Sequence, residues 1–262
     1  MRKVYLLPNM VTTANMGCGF YSIVTAIQGD TVTAAWAILA AAIFDALDGR
    51  IARMAKATSQ FGVEYDSLSD LTSFGMAPAL LLYQWSLSPY GRFGWLAAFT
   101  YLVCAALRLA RFNVSTATLP KGFFQGLPSP MAAGMTATFL IFDDFSGWLD
   151  RSGGSFWNPV SVALFLSVGV GALMVSNFSF PSFKELNWRS RASFGYLVVG
   201  VLALMMIAIR PEIFLFAILC TYVVLSLAWN AWRAFRGLPR PTAVPTNKSV
   251  DASSPTDSGR SA

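Results

Sequence analysis

The chain has 262 residues, of which 55% are hydrophobic and 12% charged, whereas an ordinary soluble domain carries about 25% charged residues. That balance excludes a water-soluble enzyme and points to an all-α, polytopic transmembrane helix bundle. The net charge is +6 with no histidine, so histidine is excluded as base, metal ligand or phosphorylated intermediate, and the basic excess reads as membrane topology with no nucleic-acid partner.

Residues 1–10, with Arg2, Lys3, Leu6 and Leu7, are expected to lie as an interfacial segment on the membrane surface. Pro8 and Asn9 interrupt this opening, and no small-residue cleavage site follows a short apolar core, so the first span is expected to be retained. Apolar stretches predict eight helical spans, at about 11–28, 31–56, 63–87, 93–112, 128–145, 157–178, 193–209 and 211–236. Residues 11–236 then form one transmembrane domain. Gly29-Asp30, residues 57–62 and Arg210-Pro211-Glu212 read as breaks between neighbouring spans. Residues 237–262 fill with Pro, Thr and Ser and read as a disordered tail. Cys18, Cys104 and Cys220 lie far apart in apolar stretches and read as small buried thiols. Asp143 and Asp144 mark the aqueous end of the fifth span.

With eight alternating spans and the N-terminus in the cytoplasm, all of the 19 Lys and Arg residues except Arg92, Arg151 and Arg210 fall on one side. The bias places both termini in the cytoplasm. It also places the charged ends of the second and third spans there.

Those two spans carry the most informative residues. Asp45, Asp48, Arg53, Asp66 and Asp70, with Arg50 close by, sit in an otherwise apolar context, where an ionised carboxylate costs several kcal/mol unless paired or metal-bound. Asp45, Asp48 and Ala52 are spaced to share one helix face, as are Asp66 and Asp70. A short link makes the two helices antiparallel neighbours, so both pairs converge. A single acid near water would simply be solvated; four at these spacings read as a cage for hard divalent cations, Mg²⁺ or Mn²⁺, and two such ions serve phosphoryl chemistry. Gly49, Ala52 and Gly62 remove bulk where a base or phosphate would approach, although small residues also serve ordinary helix packing. Arg53 is suited to balancing a pyrophosphate. Glu64 lies off the shared face.

Asp45-x2-Asp48-Gly49-x2-Ala52-Arg53-x8-Gly62-x3-Asp66-x3-Asp70 resembles, without departure, the signature of the CDP-alcohol phosphotransferase family of membrane enzymes. Leu7-Pro-Asn-Met-Val-Thr-Thr-Ala-Asn15, Arg108-Leu-Ala-Arg111-Phe-Asn113 and Gly126-Leu-Pro-Ser-Pro130 resemble secondary motifs of its bacterial, serine-using branch. Resemblance extends over roughly residues 1–230. It implies that the phosphatidyl group of CDP-diacylglycerol passes to an alcohol, here L-serine, while CMP leaves. It further implies that Asp45, Asp48 and Asp66 hold two divalent ions and that Asp70 completes the second site or acts as general base. Gly49, Ala52, Arg53 and Gly62 then belong to the cytidine-diphosphate site. A homodimer in a bacterial inner membrane, with the active site facing the cytoplasm, is also implied by resemblance.

Serine presents a carboxylate that calls for a basic or hydroxyl-rich pocket. Arg108, Arg111, Asn113 and Ser129 are the candidates, with Ser129 placed to cap the fifth helix. The two arginines serve equally well as topology anchors snorkelling to lipid phosphates, and Lys121 fits that role better. Other acceptors, such as glycerol phosphate, inositol phosphate or choline, remain open on these residues. A cation transporter would place its acids near the midplane on broken or repeated helices, and no repeat of the motif occurs in the second half.

Overall fold

The computed structural model describes residues 6–54, 59–115, 123–151, 158–181 and 193–237. The expected tail beyond residue 237, Lys121 and the side chain of Arg53 lie outside the described residues.

The described residues are helical almost throughout. Helix α1 spans Leu6–Ile27 and α2 Thr31–Met54. Helix α3 covers residues 60–87, with regular turns at Gln60–Asp70 and Ala77–Leu82 and widened, π-type turns at Leu71–Met76 and Tyr83–Leu87. Pro78 gives a physical reason for the first widening, because a proline inside a helix lacks the N–H and crowds the carbonyl four residues earlier. A tight turn at Ser88–Tyr90 and Gly91, at φ 52°, lead into α4, Gly91–Ser115. Strand β1 (Phe123–Gln125), α5 (Ser129–Ser146), α6 (Pro159–Val175), β2 (Ser179–Pro181), α7 (Ser193–Ile209) and α8 (Pro211–Phe235) follow.

Local sequence sets these boundaries. Asp30 accepts from Thr33 N at 2.9 Å and opens α2; those hydrogen bonds hold its carboxyl below the usual carboxylate range. Ser59 accepts from Gly62 N at 3.0 Å and opens α3. Asn158 and Ser161 form a reciprocal capping box ahead of α6. Pro8 lies near the start of the described part of α1, and its carbonyl accepts from Thr12 Oγ1 at 3.1 Å. The described part of α1 opens at Leu6, so residues 6–10 of the interfacial segment expected over 1–10 are helical and continuous with the first span.

Stretches long and apolar enough to cross a membrane cover Pro8–Ile27, Thr31–Ala52, Gln60–Val114 and Pro211–Phe235, so this is an integral membrane protein. A single rod of 55 residues would reach about 80 Å, far beyond a hydrocarbon core about 30 Å thick. The reversal at residues 88–91 folds the third stretch back on itself, so α3 and α4 pack side by side.

Helix α1 packs against both α2 and α3, α5 against α2 and α8, and α4 against α3 and α6. The core between them is rich in small side chains, including Ala34, Ala35, Ala41, Ala77, Ala105, Ala132 and Ala133, which let helix axes approach closely. Strands β1 and β2 form an antiparallel ribbon pairing Phe123 with Pro181 and Gln125 with Ser179, an exception to the all-α expectation. Three residues per strand are too few to produce a readable alternation. Asn230 of α8 secures the ribbon by accepting from Ser179 N at 3.0 Å and donating to Ser179 O at 2.8 Å.

Candidate metal centre and active site

The acids of α2 and α3 meet as their spacing predicts. Carboxylate oxygens of Asp45, Asp48 and Asp66 all lie within 4.8 Å of one another. Asp48 is only 5% exposed. Its Oδ2 and Asp66 Oδ1 are buried without a hydrogen-bond partner among the described residues. Uncompensated buried carboxylate oxygens are costly, and an oxygen-only donor set suits a hard divalent cation, so the residues present fit a metal. Asp70 stands beside this trio, within hydrogen-bonding reach of Asp45. Asn15 Nδ2 donates to Asp70 Oδ1 at 3.3 Å. Arg108 acts electrostatically on Asp45 and Asp70.

The two acid-bearing helices converge across α1. Ser69 Oγ donates to Thr12 O at 3.1 Å, and Ser73 Oγ donates to Asn15 O at 3.0 Å. Gly19 lets this seam close, because a Cβ there would stand 2.6 Å from Ser73 Cα. The hydroxyls of Thr13 and Tyr65 pair at 2.9 Å further along. The seam locks the register of α3 on α1, and so presents Asp66 and Asp70 toward α2.

A cleft of about 450 Å³, open mouth included, runs from the acids along α1, α2 and α3. Gly49, Ala52 and Gly62, the three small residues assigned to the nucleotide, line it together with Asp48 and Asp66. Pro8, Asn9 and Thr12 of α1 complete the wall. Sequence reasoning gave none of these three a part in the site, although they stand in the Leu7–Asn15 string that carried a secondary resemblance.

The four acceptor candidates do not share one surface. Arg108, 8% exposed, donates from Nη1 to the fully buried Ser129 Oγ at 2.6 Å. Ser129 is therefore not the cap expected for α5: Pro128 occupies the cap position, with no side-chain cap bond, and the hydroxyl is committed to the guanidinium. Arg111, one turn beyond Arg108, points at backbone. Its Nη1 donates to Val175 O at 3.0 Å and Asn177 Oδ1 at 3.2 Å. Its Nη2 donates to Gln125 O at 3.1 Å, Ser176 O at 3.2 Å and Met174 O at 3.4 Å. The guanidinium thus ties the C-terminal carbonyls of α6 to the ribbon. Gly126, at φ 78°, permits this knot, since a Cβ there would stand 2.8 Å from Arg111 Nη2. Asn113 donates to Ser67 Oγ at 2.9 Å and lines a separate outer groove between α3 and α4 with Glu64 and Leu68.

Residues 5–180 match the CDP-alcohol phosphatidyltransferase family, and the chain belongs to it. Among curated relatives, it is 35% identical over 211 residues to the CDP-diacylglycerol–serine O-phosphatidyltransferase of Helicobacter pylori, covering 80% of this chain and 85% of the relative. The Bacillus subtilis protein of the same name is 35% identical over 179 residues, with coverages of 68% and 92%. An archaetidylserine synthase of Methanothermobacter thermautotrophicus is 34% identical over 177 residues, with coverages of 67% and 69%.

Proposed function

We propose that this protein transfers the phosphatidyl group of CDP-diacylglycerol to the hydroxyl of L-serine, yielding phosphatidylserine and CMP. One structural observation carries the reading: three carboxylates converge at the head of a cleft lined by small residues, while a fourth, Asp70, lies within the field of the buried Arg108. The names of relatives from three different genera support serine as acceptor.

Asp45, Asp48 and Asp66 would hold the divalent ions, Mg²⁺ or Mn²⁺, two in number, with Asp70 completing the second site or serving as general base. When bound, the ions neutralise the pyrophosphate and stabilise charge on departing CMP. Gly49, Ala52 and Gly62, with Asn9 and Thr12 opposite, receive the cytidine diphosphate in the cleft. Arg53 offsets pyrophosphate charge.

Arg108 and Ser129 orient the serine carboxylate. Asp70 accepts the proton of the serine hydroxyl as its oxygen attacks the phosphatidyl phosphorus. The new P–O bond forms while the bond to CMP breaks, and CMP departs with the electron pair. Arg111 supports this pocket through the backbone it ties together, and Asn113 serves the acceptor from the neighbouring groove between α3 and α4.

The same reading takes α1 to α8 as eight crossings, with residues 11–236 as the catalytic domain, both termini and the site on the cytoplasmic face of a bacterial inner membrane, and a homodimer as the working form. The Lys and Arg distribution supports the orientation. The test is mass spectrometry of lipids formed by the purified protein from CDP-diacylglycerol, isotopically labelled serine and Mn²⁺. Labelled phosphatidylserine is expected; its absence under conditions where CMP forms would overturn the serine assignment.

A further inference from the structure

Helix α1 carries a polar residue whose burial packing alone does not explain. Asn15 is fully buried. Its Nδ2 donates to Asp70 Oδ1, while its own Oδ1 is buried without a partner among the described residues. An unmatched buried amide oxygen costs about 1–3 kcal/mol, so an apolar side chain would serve packing at that position better.

The backbone around Asn15 is fixed independently of its side chain. Its carbonyl accepts from Ser73 Oγ, and Gly19, four residues on, lets Ser73 lie directly against α1. Asp70 stands where α3 passes from a regular turn into the widened turn Leu71–Met76, so its direction is not set by regular helical stacking alone. It is also surrounded by competing charges: Asp45, Asp48 and Asp66 repel it and Arg108 attracts it. A neutral donor on a rigid neighbouring helix fixes the rotation of such a carboxylate without cancelling its charge.

We propose that Asn15 is a positioning residue for Asp70. Its amide N–H occupies Oδ1 and holds the carboxylate so that Oδ2 receives the proton of the acceptor hydroxyl. The proposal rests on the reading of Asp70 as the group that takes this proton.

The test compares Asn15→Ala, Asn15→Asp, Asp70→Asn and the double variant Asn15→Ala/Asp70→Asn in the full chain, purified in detergent. CMP release is followed against serine concentration, with CDP-diacylglycerol binding and the thermal midpoint measured alongside. Asn15→Ala is expected to lower kcat about 10- to 100-fold, the usual consequence of a misplaced reacting group. The serine KM, CDP-diacylglycerol affinity and thermal midpoint are expected to stay close to their starting values. Asn15→Asp, equal in size but without the donor, is expected to fall at least as far, and the double variant no further than Asp70→Asn.

Full kcat in either Asn15 variant, with Asp70→Asn inactive, overturns the proposal and leaves the role of Asp70 standing. A loss shared by kcat, both substrate affinities and the thermal midpoint overturns it in favour of a structural part. Full turnover by Asp70→Asn removes the underlying reading and the proposal with it. If Asn15→Ala does not fold, the near-isosteric Asn15→Asp carries the same decision, with Ser73→Ala beside it. Ser73→Ala loosens the Asn15 backbone while keeping its amide, and it is expected to lower kcat with CDP-diacylglycerol binding intact; an unchanged kcat there counts against the proposal.

Discussion

Arg108 and Ser129, on the facing ends of α4 and α5, are joined by a 2.6 Å hydrogen bond from Nη1 to Oγ inside the protein. A guanidinium carries five donors, and Asp45 and Asp70 share its field. A buried arginine bonded to a hydroxyl and within the field of two acids is well suited to holding a small zwitterion, because the acceptor's carboxylate would complete its ligand set.

Arg108→Lys replaces a planar fork by a single ammonium that cannot reproduce paired donation. The serine KM is expected to rise roughly 10- to 100-fold, matching about 1.5–3 kcal/mol for a charge-assisted bond, with CDP-diacylglycerol binding retained. Ser129→Ala leaves Nη1 without its partner and is expected to raise the same KM less. Steady-state kinetics with serine as the varied substrate checks both.

Asp48→Asn and Asp66→Asn each remove charge from a trio whose oxygens lie within 4.8 Å of one another. Mn²⁺ affinity, followed by electron paramagnetic resonance, is expected to weaken at least tenfold in either variant, and chelation of the wild-type protein is expected to abolish CMP release. Undiminished Mn²⁺ binding in both variants would contradict the carboxylate site.

A Cβ added at Gly49 meets nothing within 4 Å, yet Gly49 lines the cleft. The Cβ of Gly49→Leu is accommodated without displacing backbone, and the side chain takes up space in the cleft. The expected result is at least a roughly tenfold loss of CDP-diacylglycerol affinity with little change in thermal midpoint, since filling a pocket acts on binding rather than on packing. Equal affinity would place the nucleotide elsewhere.

Arg111→Ala withdraws a guanidinium that binds four backbone carbonyls and Asn177. Stability is expected to fall by about 1.5–3 kcal/mol, the range for loss of a charge-assisted hydrogen bond. Thermal unfolding in detergent reads this directly. Arg111→Lys is expected to keep the serine KM nearly unchanged, in contrast with Arg108→Lys.

The acidic pairs were legible because helical periodicity is local: three and four residues separate their members, and apolar surroundings mark each acid as anomalous. The helices were legible for the same reason. The part played by α1 was not, because the Ser69–Thr12 and Ser73–Asn15 bonds link residues more than fifty positions apart. Arg108 and Arg111 show the same limit from another side. Both are arginines on one helix, one turn apart, yet one meets a buried hydroxyl and the other the carbonyl end of α6. That difference arises from how the ribbon and α6 return to α4, which no spacing rule contains. Ser129 follows from it too: a serine after Pro128 resembles a cap, but a buried guanidinium competes for the hydroxyl and wins.

The central claim is that this acidic site couples cleavage of a CDP-lipid to attack by serine. CMP release by the purified protein, with CDP-diacylglycerol, Mg²⁺ or Mn²⁺ and a panel of serine, glycerol phosphate, inositol phosphate and choline, tests it most directly. Release stimulated by serine alone, and abolished in Asp70→Asn, is the expected result. Stimulation by a different acceptor, or serine-dependent release that survives Asp70→Asn, would contradict it.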